Sequence, residues 1–254
     1  MENGCFLPSL KTEDFMGVSM IRIDKSKLLL FLSDKREFKK IYLDKVKIPP
    51  SPYMSRGSFI HKIVEDELVK LGVLWEIAKD KEEYVSSVLN YLAKQYSTQK
   101  VGKGWTNSAI TKTYSFLISF FNKYPFYPLK VESKFEWTDE KNKITFVGKP
   151  DAIFHLINDG RLMLVDWKVS NYRRRVRKVV NGVNLNSFEV NYYIWLMEKL
   201  GRKVDVGAII PLTSSKPRFL LITPQTDVFE GIVYKIVGEI REFLKVNGFE
   251  EENL

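Results

Sequence analysis

A chain of 254 residues with 44% hydrophobic residues can bury a full core as one large domain, or as one domain with a substantial subdomain, and its composition excludes a disordered or fibrous protein. The 40 Lys and Arg against 31 Asp and Glu leave a net charge of +9, which favours an anionic partner, nucleic acid first. The single Cys5 excludes an intramolecular disulfide framework, a cysteine-built zinc site and a four-cysteine iron–sulfur cluster. No apolar stretch behind a basic N-terminal segment marks a signal peptide, and the longest apolar run, Leu28 to Leu32, is far too short to span a membrane. The expected setting is cytoplasmic, with no membrane partner.

Residues 1 to about 56 read as irregular or lightly structured. Met20 to Ile23 and Lys27 to Leu32 read as short strands, and the three prolines between Val46 and Tyr53 exclude a helix throughout that segment. A helix is predicted from a Ser55 or Ser58 cap to about Leu71, before Gly72, with Ile60, Ile63, Val64, Leu68 and Leu71 as its buried stripe. His61 and Glu65 stand four apart on one edge of that stripe. Helices over about Lys81 to Gln95 and Asn107 to Tyr124 complete a helical lobe. The polar loop between them carries Lys100, Lys103 and Trp105 as candidate DNA contacts.

Pro125 and Pro128 close the helical region, and from Leu129 the period becomes two. Val131, Ser133, Phe135 and Trp137 alternate with Glu132, Lys134 and Glu136. Strands over Lys143 to Ile157 and Arg161 to Val169 follow, which predicts an antiparallel meander with turns at Thr138–Glu140 and Asn158–Gly160. A run of five cations in six residues starts at Arg173, and a helix over about Leu185 to Leu200 comes next. Strands at Asp205 to Pro211 and Arg218 to Ile222 and a helix from Thr226 to Lys245 complete the pattern. The fold class implied is α/β in the α+β sense, a central mixed β-sheet flanked by helices, with an N-terminal helical lobe. Residues 1–128 would form the N-terminal segment and lobe carrying His61, and residues 129–254 the core, together one unit.

The chemistry concentrates between Val147 and Lys168. Two apolar runs flank the turn at Asn158-Asp159-Gly160, and each carries a carboxylate, Asp151 and Asp166. Side chains alternate along a strand, so Asp166 and Lys168 share one face and Trp167 points to the other. Charge on such a strand is costly unless it is paired or bound to metal. Two readings stand on the residues alone: a buried Asp–Lys ion pair joining two strands, or a phosphodiesterase site. In the second, Asp151, Asp166 and the backbone carbonyl of Trp167 hold a divalent ion and Lys168 faces the phosphate.

Pro150-Asp151, fourteen intervening residues, then Asp166-Trp167-Lys168 resembles the PD-(D/E)xK nuclease superfamily. Gly148-Lys149-Pro150-Asp151 with Leu164-Val165-Asp166-Trp167-Lys168 is similar in particular to its RecB-like branch, which includes CRISPR-associated RecB-like exonucleases. The branch also has an upstream helical histidine, matched by His61, an acidic residue on the preceding strand, matched by Glu132, and a Gln-x-x-x-Tyr helix, where this chain has Glu189 to Tyr193. The resemblance spans about residues 55 to 200. It departs at Glu189, an anion where the family has Gln, and in lacking the cysteines of iron–sulfur relatives.

The resemblance implies a restriction-endonuclease-like core and a Mg- or Mn-dependent DNA exonuclease without an iron–sulfur cluster, leaving 5′-phosphate ends. His61 would join Asp151 and Asp166 on the metal, with Glu132 and Glu65 in support. Tyr172, Arg173, Arg174, Arg175, Arg177 and Lys178 would grip DNA backbone, single- or double-stranded, with Glu189 and Tyr193 on the neighbouring helix face. Helical spacing assigns Phe188, Tyr192 and Trp195 to the core, and His155, four residues past Asp151 on the same strand face, has a structural or supporting role. A structure-specific or restriction-type endonuclease and an inactive DNA-binding subunit of the same fold remain as alternatives. No phosphate-binding loop for ATP is encoded, so a helicase or recombination partner would supply any translocation, and the resemblance is compatible with a homo-oligomer.

Overall fold

Ile21 and Ile23 alternate with Arg22 and Asp24, and this two-residue period forms strand β1 (Ile21–Asp24), with both isoleucines fully buried. Asp24 ends the strand and caps helix α1 (Lys25–Ser33), its carboxylate accepting the Lys27 backbone N–H over 2.9 Å. The segment Lys27 to Leu32, expected as a strand, is therefore helical. A contiguous apolar run has no period of its own, and the cap decides. A short helix α2 (Lys35–Phe38) and a π-helical turn (Lys39–Leu43) follow, so this region is more regular than its composition implied. The computed structural model describes residues 20–49, 52–99, 105–169, 179–180, 183–212, 220–251 and 254.

Three long helices come next, α3 (Pro52–Ile77), α4 (Lys81–Gln99) and α5 (Trp105–Lys123). α3 continues past Gly72, its expected end. Gly72 is an interior glycine on the face that meets Pro128, where an added Cβ would lie 3.6 Å from the proline ring. Ile60, Val64, Leu68 and Leu71 are buried as predicted, in one core with Tyr84, Val88 and Leu92 of α4 and Phe116, Phe120 and Phe121 of α5.

Strands β2 (Phe126–Val131), β3 (Phe135–Asp139), β4 (Ile144–Gly148), β5 (Ala152–Leu156) and β6 (Leu162–Lys168) follow. A small ladder of β7 (Val179–Val180) and β8 (Val183–Asn184) leads into α6 (Leu185–Lys199). Then come β9 (Val206–Pro211), β10 (Leu220–Ile222) and α7 (Thr226–Val246). The fold is α+β with mixed sheets, as expected, but β2 to β6 are not one meander. A five-stranded sheet has the order β10-β9-β6-β5-β2, parallel only between β6 and β9. A second sheet has the order β1-β4-β3, with β1 parallel to β4.

Between β2 and β6 the chain thus changes sheet twice, at residues 132–134 and again at 149–151. The alternation from Val131 to Trp137 concealed the first crossing. Glu132 takes a left-handed backbone (φ 50°), which ends the ladder without disturbing the polar–apolar pattern. At the second, Pro150 supplies no N–H, and the ladder stops at Gly148 to resume at Ala152.

Alternate residues of the five-stranded sheet face different cores. Phe154, Val165, Trp167 and Ile210 join the α3–α5 lobe, while Ile153, Leu164 and Ile209 join α1, α6, α7 and the smaller sheet. Residues 21–43 accordingly pack with the second half of the chain. α6 approaches the strands closely because of two glycines. A Cβ on Gly148 would lie 2.7 Å from Leu196 Cδ2, and one on Gly207 would overlap Val190 and reach 3.0 Å from Ile194 Cδ1. The Tyr192 hydroxyl donates to the carbonyls of Val147 (2.9 Å) and Ile23 (3.2 Å), tying α6 to β4 and β1. Phe188, Tyr192 and Trp195 are core residues, as their spacing predicted. Trp195 packs edge-on against Phe146 with ring centroids 4.8 Å apart, and truncating it would cost about 3–5 kcal/mol. No described helix is long and apolar enough to cross a membrane.

Candidate functional site

Both sheet crossings end at the same corner. Glu132 donates its backbone N–H to the Asp151 carbonyl over 3.0 Å, so the two carboxylates are set side by side by main-chain geometry. His61 reaches the corner from α3, its Nδ1 lying 3.5 Å from Asp151 Oδ1. His61, Glu132 and Asp151 each bring a ligand atom within 4.8 Å of the others. Glu132 also pairs with Lys149 over 2.6 Å at the rim.

Asp151 is oriented from behind. The Trp167 backbone N–H donates to its Oδ2 over 2.5 Å, leaving Oδ1 toward His61. The β5–β6 ladder ends at the Ala152–Val165 pair, so this bond continues the strand contact through a side chain. The N–H and C=O of an extended residue lie on the same edge of its strand, so the Trp167 carbonyl faces this corner too. The Trp167 side chain points away into the α3–α5 core, 6.0 Å between ring centroids from Phe154.

Deeper in, Asp166 is 2% exposed and lies between two ammonium groups. Lys168 Nζ is 2.6 Å from its Oδ2 and Lys25 Nζ is 3.4 Å from its Oδ1. Lys168 also contacts Glu189 directly, and Lys25 lies 3.9 Å from the same Glu189 Oε2. Asp166 Oδ2 and Glu189 Oε2 accept no well-directed hydrogen bond, so Lys168 serves both as a shared point charge. The buried Tyr193 ring supports Lys25 from below, 4.7 Å from its ammonium.

Burial would push the Asp166 carboxyl up, but Lys25 and Lys168 hold it below its ordinary value, so it stays a carboxylate. Burial likewise opposes charge on Lys25, and Asp166, Tyr193 and Glu189 outweigh it, keeping the ammonium charged. Burial raises the Tyr193 phenol, which stays neutral. At His61 burial would lower the imidazole, but Asp151, with Asp166 and Glu132 behind it, raises it above 6.5.

The structure therefore gathers Asp151, Asp166, Lys168, His61, Glu132, Glu189 and Tyr193 into one continuous cluster. Glu65 is paired instead with Lys62 on α3, over 3.1 Å. His155 stacks on Tyr127, which stacks on Trp75, away from the metal-type donors. Tyr172, Arg173, Arg174, Arg175, Arg177 and Lys178 lie outside the described residues, as do Lys100, Lys103 and the Trp105 side chain. Lys25 is the residue that sequence reasoning missed. Its one local clue is a cation at the first position of a helix, where the dipole disfavours positive charge.

No family model and no curated protein matches the chain. Among solved structures it is similar to one described as "Crystal structure of SSO0001", at 11% identity, over 87% of this chain and 77% of that chain, with a TM-score of 0.40. At that level neither fold nor activity transfers.

Proposed function

We propose that the chain is a metal-dependent deoxyribonuclease of the PD-(D/E)xK type, hydrolysing phosphodiester bonds from DNA ends to leave 5′-phosphate and 3′-hydroxyl products. What carries the reading is the meeting of His61, Glu132 and Asp151 within 4.8 Å, next to the Asp166–Lys168 pair. The net charge of +9 agrees with an anionic substrate.

The donors fit a small divalent ion. His61, Glu132 and Asp151 stand within 4.8 Å of one another, and a divalent ion would draw them closer. One imidazole, two carboxylates and the Trp167 carbonyl suit Mg2+ or Mn2+ better than softer metals that prefer thiolate. Bound there, such an ion supplies Lewis acidity and a more acidic water.

The chain's own groups do the rest. Asp151, fixed by the Trp167 N–H through Oδ2, would offer Oδ1 to such an ion without turning. Asp166 stays ionised and holds the Lys168 ammonium in place, while the attacking water loses its proton to solvent as the water oxygen bonds phosphorus. Lys168 stabilises negative charge growing on the phosphoryl oxygens while the P–O3′ bond breaks. The leaving O3′ takes a proton from solvent.

One contact favours a second reading, a DNA-binding subunit without cleavage: Glu189 occupies the Lys168 ammonium that a phosphate would need. The test is end-labelled linear single- and double-stranded DNA and closed circular plasmid, each with Mg2+ or Mn2+, beside Asp166→Ala. Degradation of linear DNA alone, lost in Asp166→Ala, supports an exonuclease. Opened plasmid moves the reading to an endonuclease. Salt-sensitive DNA binding without cleavage, with cleavage appearing in Glu189→Gln, supports the second reading.

A further inference from the structure

We propose that Lys25 fills the place of a second divalent cation, so that the site takes one metal ion and not two. This deepens the metal-dependent reading above and rests on it.

Phosphodiesterases that use two ions hold them about 3.5–4 Å apart, astride the reacting phosphate. Beside the His61–Glu132–Asp151 corner, the acidic oxygens left for a second ion among the described residues are those of Asp166 and Glu189. Both are already engaged by ammonium groups, Lys168 on one side and Lys25 on the other. Lys25 sits in what is otherwise a cation cage: Asp166 Oδ1 at 3.4 Å, Glu189 Oε2 at 3.9 Å and the Tyr193 ring face at 4.7 Å.

Charge divides the cluster into two parts. The inner part, Asp166 and Glu189 with Lys25 and Lys168, is neutral as it stands. The outer part, Glu132 and Asp151, carries two negative charges, with the rim cation Lys149 against Glu132. One divalent ion balances the outer carboxylates, and a second would have to expel a buried ammonium.

The backbone makes Lys25 hard to displace. β1 is paired to β4 along its whole length, Asp24 caps α1, and Lys25 is the first helical residue after that cap. A lysine there gains nothing from the helix dipole, and its side chain is only one-fifth exposed. Its interactions are with the acidic pair and Tyr193, 141 or more residues further along the chain. Lys25 is thus a positioning residue: it sets the charge and number of cations against which Asp166 works.

The experiment counts bound Mn2+ on the whole chain, by calorimetric titration and by electron paramagnetic resonance, for the parent, Asp151→Ala, Lys25→Met and Lys25→Arg. The parent and Lys25→Arg should each bind one Mn2+ with the six-line spectrum of an isolated ion, and Asp151→Ala should lose it. Lys25→Met should bind a second ion, at least tenfold more weakly, and the six-line intensity should fall as that ion loads beside the first. If Lys25→Met does not fold, Lys25→Gln carries the same expectation. Two ions in the parent, both lost in Asp151→Ala, would overturn the role of Lys25 and leave the metal reading standing. So would a single ion in the folded neutral variant. A parent that binds no Mn2+ overturns both.

Discussion

The backbone N–H of Trp167 donates to Asp151 over 2.5 Å, so the strand that carries Asp166 and Lys168 also aims the carboxylate contributed by its neighbour. Asp151→Asn keeps an oxygen for that bond and removes the charge a metal needs. We expect its urea midpoint to match the parent within about 1 kcal/mol, with Mn2+ affinity and DNA cleavage reduced roughly 100-fold or more. Asp151→Ala should also lose stability, by about 1–3 kcal/mol, because the buried N–H is left without a partner. Unchanged Mn2+ binding in Asp151→Asn would sink the assignment.

Asp166 differs from Asp151 in what its removal strands. Lys25 and Lys168 would both lose their main counter-ion in a site that water scarcely reaches. Breaking a buried pair from one side costs about 3–5 kcal/mol, and Asp166→Ala should fall in that range by urea unfolding. Lys25→Met combined with Asp166→Ala should cost less than the sum of the two single changes, since one buried charge then no longer awaits a partner. Strict additivity would mean that the two residues are not coupled.

Much of this was legible in the sequence, and what was not has identifiable causes. Ile60, Val64, Leu68 and Leu71 gave α3 its buried stripe, and the strand period placed Asp166 and Lys168 together with Trp167 opposed. α3 runs past its expected end because Gly72 is a contact glycine against Pro128, a relation between elements 56 residues apart that local propensity does not carry. The two sheet crossings were hidden for a similar reason. Glu132 changes the backbone while keeping the alternation, so the pattern reads straight through a corner. Lys25 could not be found from its own neighbourhood, since its partners are Asp166, Glu189 and Tyr193. The motif gave the floor of the site, and the long-range packing supplied its counter-ions.

Glu132 holds its carboxylate at the corner on a backbone that favours glycine, φ 50°. A left-handed conformation costs a residue with a side chain about 1–2 kcal/mol, and glycine escapes it. Glu132→Gly should therefore be more stable than Glu132→Ala by about 1 kcal/mol, although glycine is usually the poorer residue. Both variants should bind Mn2+ at least tenfold more weakly than the parent. Equal melting of the two variants would show that the corner relaxes when the carboxylate is gone.

Gly207 sets the seat of α6, and with it the position of Glu189. Its Cβ would collide with Val190, one residue from Glu189. Gly207→Ala should destabilise by about 1–3 kcal/mol, the usual cost of overfilling a packed core. Adding Val190→Ala should restore more than half of that loss. Under the nuclease reading, cleavage by Gly207→Ala should drop tenfold or more if a shift of about an ångström draws Lys168 out of line through its Glu189 contact. The check is urea unfolding and linear-DNA degradation on the same three proteins, and a double variant no better than the single one would refute the steric account.

Asp139 provides a pH-dependent element remote from the metal-type donors. It ends β3 and accepts from the Asn142 backbone N–H over 3.1 Å, from the Asn142 side-chain amide over 2.7 Å and from the Tyr234 hydroxyl of α7. Burial would raise its carboxyl, but the Asn142 and Tyr234 bonds hold it below the usual carboxylate value. A depressed folded-state pKa adds stability that is complete above the unfolded value, near pH 4, and is lost as pH falls through the folded one. Solvent reaches this turn, so the contribution should stay under about 1 kcal/mol. Asp139→Asn removes the titrating group, so the gap in unfolding free energy between parent and variant should be constant from pH 8 to about 5 and shrink toward pH 3. A gap of the same size at pH 6 and pH 3 would mean that the Asn142 and Tyr234 bonds do not distinguish the charged from the neutral carboxyl, and that the β3–β4 turn is joined to α7 by packing alone.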